Sequence, residues 1–189
     1  MKIATVLFAF TILIRCASAG DFPVGNPAAH TVLSHTRLLL LREAVSYLHT
    51  PYASPPNVPR SFDCSGFVSH IYGKFGHSLP RTSRAYTNVG TVVAWQDALP
   101  GDILIFTRTK GSATVSHVAI LYQRNASGSL AGSWIIHSAS RNTGRSLIYG
   151  NPTTRTGVVI TELGLRADGI PANEYFYQRF KHTVRVLRD

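Results

Sequence analysis

Apolar positions along this chain change their period near Gly90. Between about Thr31 and His49, Leu38, Leu41, Ala44, Val45 and Leu48 recur at helical spacing, which predicts a first helix ending before Pro51. The three prolines between Tyr52 and Arg60 predict an extended loop. Cys64, Phe67, Val68, Ile71, Tyr72 and Phe75 then repeat at i, i+3, i+4, i+7. This predicts a second helix with Asp63 as N-cap, Gly76 as its stop and Cys64 on the buried stripe. Beyond Gly90 the runs Asp102 to Thr107, Val115 to Tyr122, Ser133 to Ala139, Gly157 to Leu163 and His182 to Arg188 are short and rich in β-branched or aromatic residues. Clusters of Gly, Ser, Asn or Pro separate them, so each reads as a strand. Helices followed by strands predict an α+β domain with an antiparallel sheet of about five strands.

The N-terminus departs from this pattern. Residues 3–14 carry no charge, follow Lys2 and lead to Ala17-Ser18-Ala19, the layout of a secretory signal peptide over 1–19. The apolar run is too short to span a bilayer comfortably, so the expectation is a secreted or periplasmic protein with no membrane span. Cleavage after Ala19 leaves an exposed Gly- and Pro-rich lead-in over 20–30 and one domain over 31–189. Lipid attachment at Cys16 is the rival, but Arg15 stands where such signals generally carry a small side chain. With 44% hydrophobic and 15% charged residues, the composition supports one packed domain and argues against disorder.

Nineteen Lys and Arg against nine Asp and Glu give a formal charge of +10, and loss of Lys2 and Arg15 lowers it by two. Such a charge suits anionic envelope polymers, a membrane surface or nucleic acid, and cannot choose among them. Arg179, Lys181, Arg185 and Arg188 make the C-terminus basic, at a spacing usual for a solvated face, and no nucleic-acid module is recognisable. Eight histidines raise metal hydrolysis as a possibility, yet there is no His-Glu-x-x-His, no Cys-x-x-Cys and no convincing carboxylate cluster. Neither metal, cofactor nor nucleic acid is expected.

Without Cys16 the chain keeps one thiol, Cys64, and no internal disulfide. At the first turn of a helix the unpaired N–H groups and the dipole favour thiolate over thiol. Judged on the helical stripe alone, Cys64 reads more readily as a small buried hydrophobe. His117, in Val115 to Ile120, and His137, in Trp134 to Ser138, lie in strand-like runs. One imidazole beside Cys64 could take its proton and a second polar group could orient that imidazole. A strand histidine is otherwise usually a half-exposed side chain.

The stretch Phe62-Asp63-Cys64-Ser65-Gly66-Phe67-Val68 resembles the nucleophile motif of the NlpC family of cell-wall cysteine peptidases, papain-like enzymes that cut peptides of peptidoglycan. Pro51-Tyr52 resembles the family's upstream tyrosine motif. Leu79-Pro80-Arg81-Thr82-Ser83 and Leu99-Pro100-Gly101-Asp102 resemble its linking segments. Ser116-His117-Val118-Ala119-Ile120 resembles the general-base strand, and Ile135-Ile136-His137 the strand bearing the third catalytic group. The likeness runs from about Leu38 to Arg188; each short motif is weak alone, and the ordered set is strong.

The resemblance implies a papain-like domain in which Cys64 is the nucleophile, His117 the general base and His137 the orienting group. It implies that Tyr52 flanks the site, and that Asp63 and Ser65 line the pocket for the substrate's N-terminal side. A helix cap is an equally good reading of Asp63. Arg81 is a candidate for a substrate carboxylate, although an ion pair is the commoner fate of a lone arginine. The implied activity is endopeptidase cleavage of peptidoglycan stem peptides, at the γ-D-glutamyl to diamino-acid bond typical of the family. The alternatives are a catalytically silent envelope-binding protein that keeps the fold, and another papain-like cell-wall amidase. The chain departs from the family at Ala53-Ser54-Pro55-Pro56, where many members carry a Gly-Gly pair, and at Ala119, where Gly is frequent.

Overall fold

Secondary structure follows the change of hydrophobic period, with helices before strands. The computed structural model describes residues 33–140, 156–164 and 174–188. The expected signal peptide, Cys16 and the lead-in over 20–30 lie outside the described residues. Helix α1 spans His35–Ser46, α2 Cys64–Gly73 and the short α3 Glu174–Tyr177. The strands are β1 (Thr91–Val93), β2 (Ile103–Thr107), β3 (Val115–Gln123), β4 (Trp134–Ala139), β5 (Gly157–Glu162) and β6 (Phe180–Arg185). Among the described residues they form one antiparallel sheet in the order β1-β6-β2-β3-β4-β5.

All five runs expected as strands contribute one. The sixth, β1, is only three residues long with Thr91 and Val92 exposed, so it leaves no alternating apolar signal. The last strand begins at Phe180 and ends at Arg185, displaced toward the N-terminus from the expected His182 to Arg188. Its partner decides this: Leu104 pairs with Thr183 and Ile105 with His182, and a register shift brings Phe106 opposite Phe180.

Helix α1 buries most of the expected stripe, with Leu41 and Ala44 inside and Val45 and Leu48 packed against the core; Leu38 is the exception. Arg37, Leu40, Leu41 and Ala44 face inward while Leu38 is 51% exposed. Arg37 turns the helix: fully buried, it donates from Nη1 to Asp102 Oδ1 at 2.9 Å and to the Pro100 carbonyl at 2.9 Å. Asp102 also accepts from Arg185, Nη2 to Oδ2 at 2.8 Å. The Leu-Pro-Gly-Asp segment is thereby a junction between α1 and β6.

The sheet has two covered faces. Leu40, Phe67, Val68, Ile71 and Tyr72 of α1 and α2 pack with Val118 and Ile120 on one. Leu104, Phe106, Ala119, Leu121 and Ile135 pack with Phe176 of α3 on the other. Each such buried side chain contributes roughly 1.5–3 kcal/mol. Alternation along β3 therefore assigns Val118 to the helix side and His117 and Ala119 to the α3 side.

Candidate active site

Cys64 is the first residue of α2, and the helix begins there because Asp63 caps it. The Asp63 backbone is extended, and its Oδ1 accepts the Gly66 N–H at 2.7 Å. A Cβ on Gly66 would stand 2.8 Å from that same oxygen, which explains why glycine ends the Asp-Cys-Ser-Gly motif. Downstream, α2 stops at Gly73, short of the expected Gly76; Gly76 instead takes φ +81° in the following turn.

Strands β3 and β4 make room for the helix start. The pair of their ladder closest to the site is Ile120 with Ile136. Beyond it, Ser138 Oγ donates to the Phe62 carbonyl at 2.9 Å. Tyr52 is brought alongside by an isolated bridge to Phe62, in which the Ala53 N–H donates to the Phe62 carbonyl at 3.1 Å. The loop so closed carries Pro55 and Pro56, the chain's departure from Gly-Gly; both Ser54–Pro55 and Val58–Pro59 are cis.

Cys64, His117 and Tyr52 line one cavity of about 210 Å³, with Ser116, Tyr175 and Phe176. Behind it, His117 Nε2 lies 2.9 Å from His137 Nδ1, and His137 Nε2 lies 2.9 Å from Thr161 Oγ1. His137 is fully buried. The ring of Phe176 stacks on His117 with centroids 4.5 Å apart and meets His137 edge-on at 4.9 Å.

A second, more open cavity of about 600 Å³ also reaches the thiol, lined by Tyr52, Pro55, Asp63, Ser65 and Arg81. Here Arg81 forms a two-pronged pair with Asp63, Nη1 to Oδ1 at 2.9 Å and Nη2 to Oδ2 at 2.7 Å. Its Nη1 also donates to Ser65 Oγ at 3.2 Å, while Ser65 Oγ donates to the Arg81 carbonyl at 2.8 Å. Asp63 caps α2 and its carboxylate also lines this cavity.

Burial opposes the preference for thiolate that a helix start gives. Burial pushes the Cys64 thiol up, and the Asp63 charge adds to this; N–H groups of Val118, Ser65 and Cys64 itself pull the other way without prevailing. Desolvation pushes His117 down to about 3, and His137 is lowered by burial and by its neighbour His117. The free site therefore holds a neutral thiol beside a neutral imidazole near pH 7. Tyr52 is raised, mainly by burial and then by Cys64 and Asp63, so its hydroxyl stays protonated.

All seven residues singled out in the sequence, Tyr52, Cys64, Asp63, Ser65, Arg81, His117 and His137, come together here. Thr161, Phe176 and Arg108 are additions. Thr161 reads only as a strand threonine, and Phe176 lies outside the expected strands; neither carries a signal before the sheet is assembled.

Residues 49–160 match the model of the NlpC/P60 family, more than half of the chain, and the protein belongs to that family. A probable endopeptidase p60 of Listeria innocua is 41% identical over 81 residues, covering 43% of this chain and 17% of that protein. The chain thus matches only a small part of that relative's length. An NlpC/P60 family protein from Bacillus cereus superposes with a TM-score of 0.59 at 24% identity, over 80% of this chain and 40% of that one. RipD of Mycobacterium tuberculosis, described as a non-catalytic NlpC/p60 domain protein adapted to peptidoglycan binding, superposes with a TM-score of 0.50 at 18% identity, over 82% of this chain and all of that one. The fold is the α+β, papain-like one of this family. No helix among the described residues is long and apolar enough to cross a membrane.

Proposed function

We propose that the protein is an exported cysteine endopeptidase that hydrolyses peptidoglycan stem peptides at the γ-D-glutamyl to diamino-acid bond. The observation that carries this reading is the relay of His117 Nε2, His137 Nδ1 and Thr161 Oγ1 behind a cavity shared by Cys64 and His117. With Nε2 occupied by His137, Nδ1 is the nitrogen of His117 available to the thiol. For Nδ1 to accept a proton, Nε2–H donates to His137 Nδ1 and His137 Nε2–H donates to Thr161.

In this mechanism Cys64 Sγ attacks the γ-carbonyl carbon as His117 Nδ1 takes the thiol proton, so charge develops only as the carbon–sulfur bond forms. N–H groups at the start of α2 and the protonated Tyr52 hydroxyl supply donors for the oxyanion. Collapse expels the diamino-acid amine, which receives the proton from His117. Water, deprotonated by His117, then attacks the thioester; the acid product leaves and the proton returns to sulfur.

The Asp63–Arg81 cavity receives the acyl side: Asp63 suits a free L-alanyl amine and Arg81 the α-carboxylate of D-glutamate. Non-hydrolytic binding is the second reading, favoured by the neutral resting pair and the Phe176 cover, and by the fold shared with RipD. Mass spectrometry of products from purified muropeptides separates the two. The native protein is expected to release a γ-D-glutamyl acid and a new diamino-acid amine, and Cys64→Ala none. Cleavage by the alanine variant at the native rate would overturn the assignment, and binding without products from the native protein would establish the second reading.

A further inference from the structure

The two cavities that share Cys64 differ in charge. The open one holds Asp63 and Arg81, which neutralise each other. The smaller one is lined by Arg108 and by no carboxylate among the described residues. The Arg108 guanidinium forms no hydrogen bond or ion pair among the described residues, and the side chain is exposed. An unpaired cation in a site of this kind has affinity to offer an anion.

Chemistry identifies which part of the substrate enters this smaller cavity. His117, the group that must protonate the departing amine, lines it and does not line the open one. The residue that leaves therefore passes Arg108. The wall is also held in place. Arg179 Nε donates to the Arg108 carbonyl at 3.1 Å and its Nη1 to the Tyr175 carbonyl at 2.7 Å, while its guanidinium lies 3.7 Å from the Tyr175 ring centroid. One side chain so ties the β2–β3 loop to α3, the two lips of the cavity.

We infer that Arg108 is a specificity residue, binding a carboxylate carried by the leaving diamino acid. This rests on the peptidase reading. A leaving residue offers such a carboxylate from either of two places, the far end of a diaminopimelate side chain or its own α-carboxyl when the peptide ends there. Their shared chemistry is a mobile carboxylate within reach of a guanidinium.

Four tripeptides distinguish the sources: L-alanyl-γ-D-glutamyl-meso-diaminopimelate, its side-chain carboxamide, its α-carboxamide, and the L-lysine counterpart. For the native protein, amidating the carboxylate that Arg108 binds is expected to lower kcat/KM by about tenfold, the scale of one partly solvated charge-assisted contact. The lysine peptide joins the poor group if the side-chain carboxylate is the partner. In Arg108→Gln, whose fold is checked by circular dichroism, the preference should shrink to within about twofold, through loss on the good substrate. Equal kcat/KM for acid and amides in the native protein overturns the inference, as does an undiminished preference in Arg108→Gln. A native protein that cleaves none of the four overturns the peptidase reading and the inference with it.

Discussion

His117 and His137 share a 2.9 Å contact between Nε2 and Nδ1, and the second ring continues it to Thr161 Oγ1 at the same distance. Two imidazoles and a hydroxyl in series can donate in one direction or the other. Only one direction leaves the Nδ1 lone pair of His117 for Cys64, and it requires Thr161 to accept.

That requirement separates the roles of three side chains. His117→Ala should abolish turnover, since no other described base lines the cavity that His117 shares with Cys64. His137→Ala should lower kcat by about 100-fold, and His137→Asn or His137→Gln by about 10-fold, because an amide oxygen can still accept from Nε2–H. Thr161→Val keeps the shape and removes the acceptor, so kcat should fall while KM stays near native. Steady-state kinetics on one muropeptide checks all of these. Equal, complete loss for Ala, Asn and Gln at position 137 would count against the orienting role.

The neutral resting pair predicts a particular pH behaviour. With the thiol raised and His117 at about 3, Cys64 alkylation by iodoacetamide should climb about tenfold per pH unit through neutrality, with no acid plateau. A plateau between pH 4 and 7 would mean a preformed thiolate–imidazolium pair. Stability follows the opposite sign from a salt-bridged histidine. Between the unfolded value of 6.5 and the folded value of about 3, the unfolded chain binds more protons at His117, so stability falls as pH drops through that window. Phe176→Ala admits water to the ring and should raise the His117 pKa, seen in its imidazole proton resonances.

Much of this site was legible in the sequence because its motifs are local. Asp63, Cys64 and Gly66 act within one helical turn, and spacing alone identified the cap. The two strand histidines were visible as residues, but their mutual contact depends on the β3–β4 register. What stayed hidden depends on distant partners. Arg37 gives no sign of burial in the sequence, because its reason for burial is Asp102, 65 residues away. The pull toward thiolate at a helix start is opposed for a related reason: burial is a property of the assembled site, and here it outweighs the local N–H groups.

The buried junction at Asp102 gives a stability prediction independent of catalysis. Its carboxylate is fully buried between Arg37, also fully buried, and Arg185. Removing it takes away the buried carboxylate that Arg37 and Arg185 share, so Asp102→Ala should destabilise the fold by about 3–5 kcal/mol, measured by urea unfolding. Gly101, at φ +91° and within 3.4 Å of Arg37 Nη1 if given a Cβ, should tolerate alanine poorly for a separate reason, backbone strain plus contact. A loss below about 1 kcal/mol for Asp102→Ala would mean that water reaches Arg37.

The positive charge predicts how the protein approaches its substrate. A formal charge of +10 on the full sequence, or two less if the proposed leader is removed, attracts anionic wall polymers through many exposed, individually weak cations. At about 0.15 M salt the screening length is about 8 Å, and near 1 M it is about 3 Å, shorter than the distance across most of these contacts. Sedimentation with purified cell walls should therefore lose most of the bound protein by about 1 M salt. The Cys64→Ala protein should sediment like the native one, since the attraction does not involve the thiol. Cleavage of a small, soluble muropeptide should respond less steeply, because the contacts proposed for it at Asp63, Arg81 and Arg108 are short-range. Wall binding unchanged at 1 M salt would assign it to those short-range contacts instead of to the overall charge.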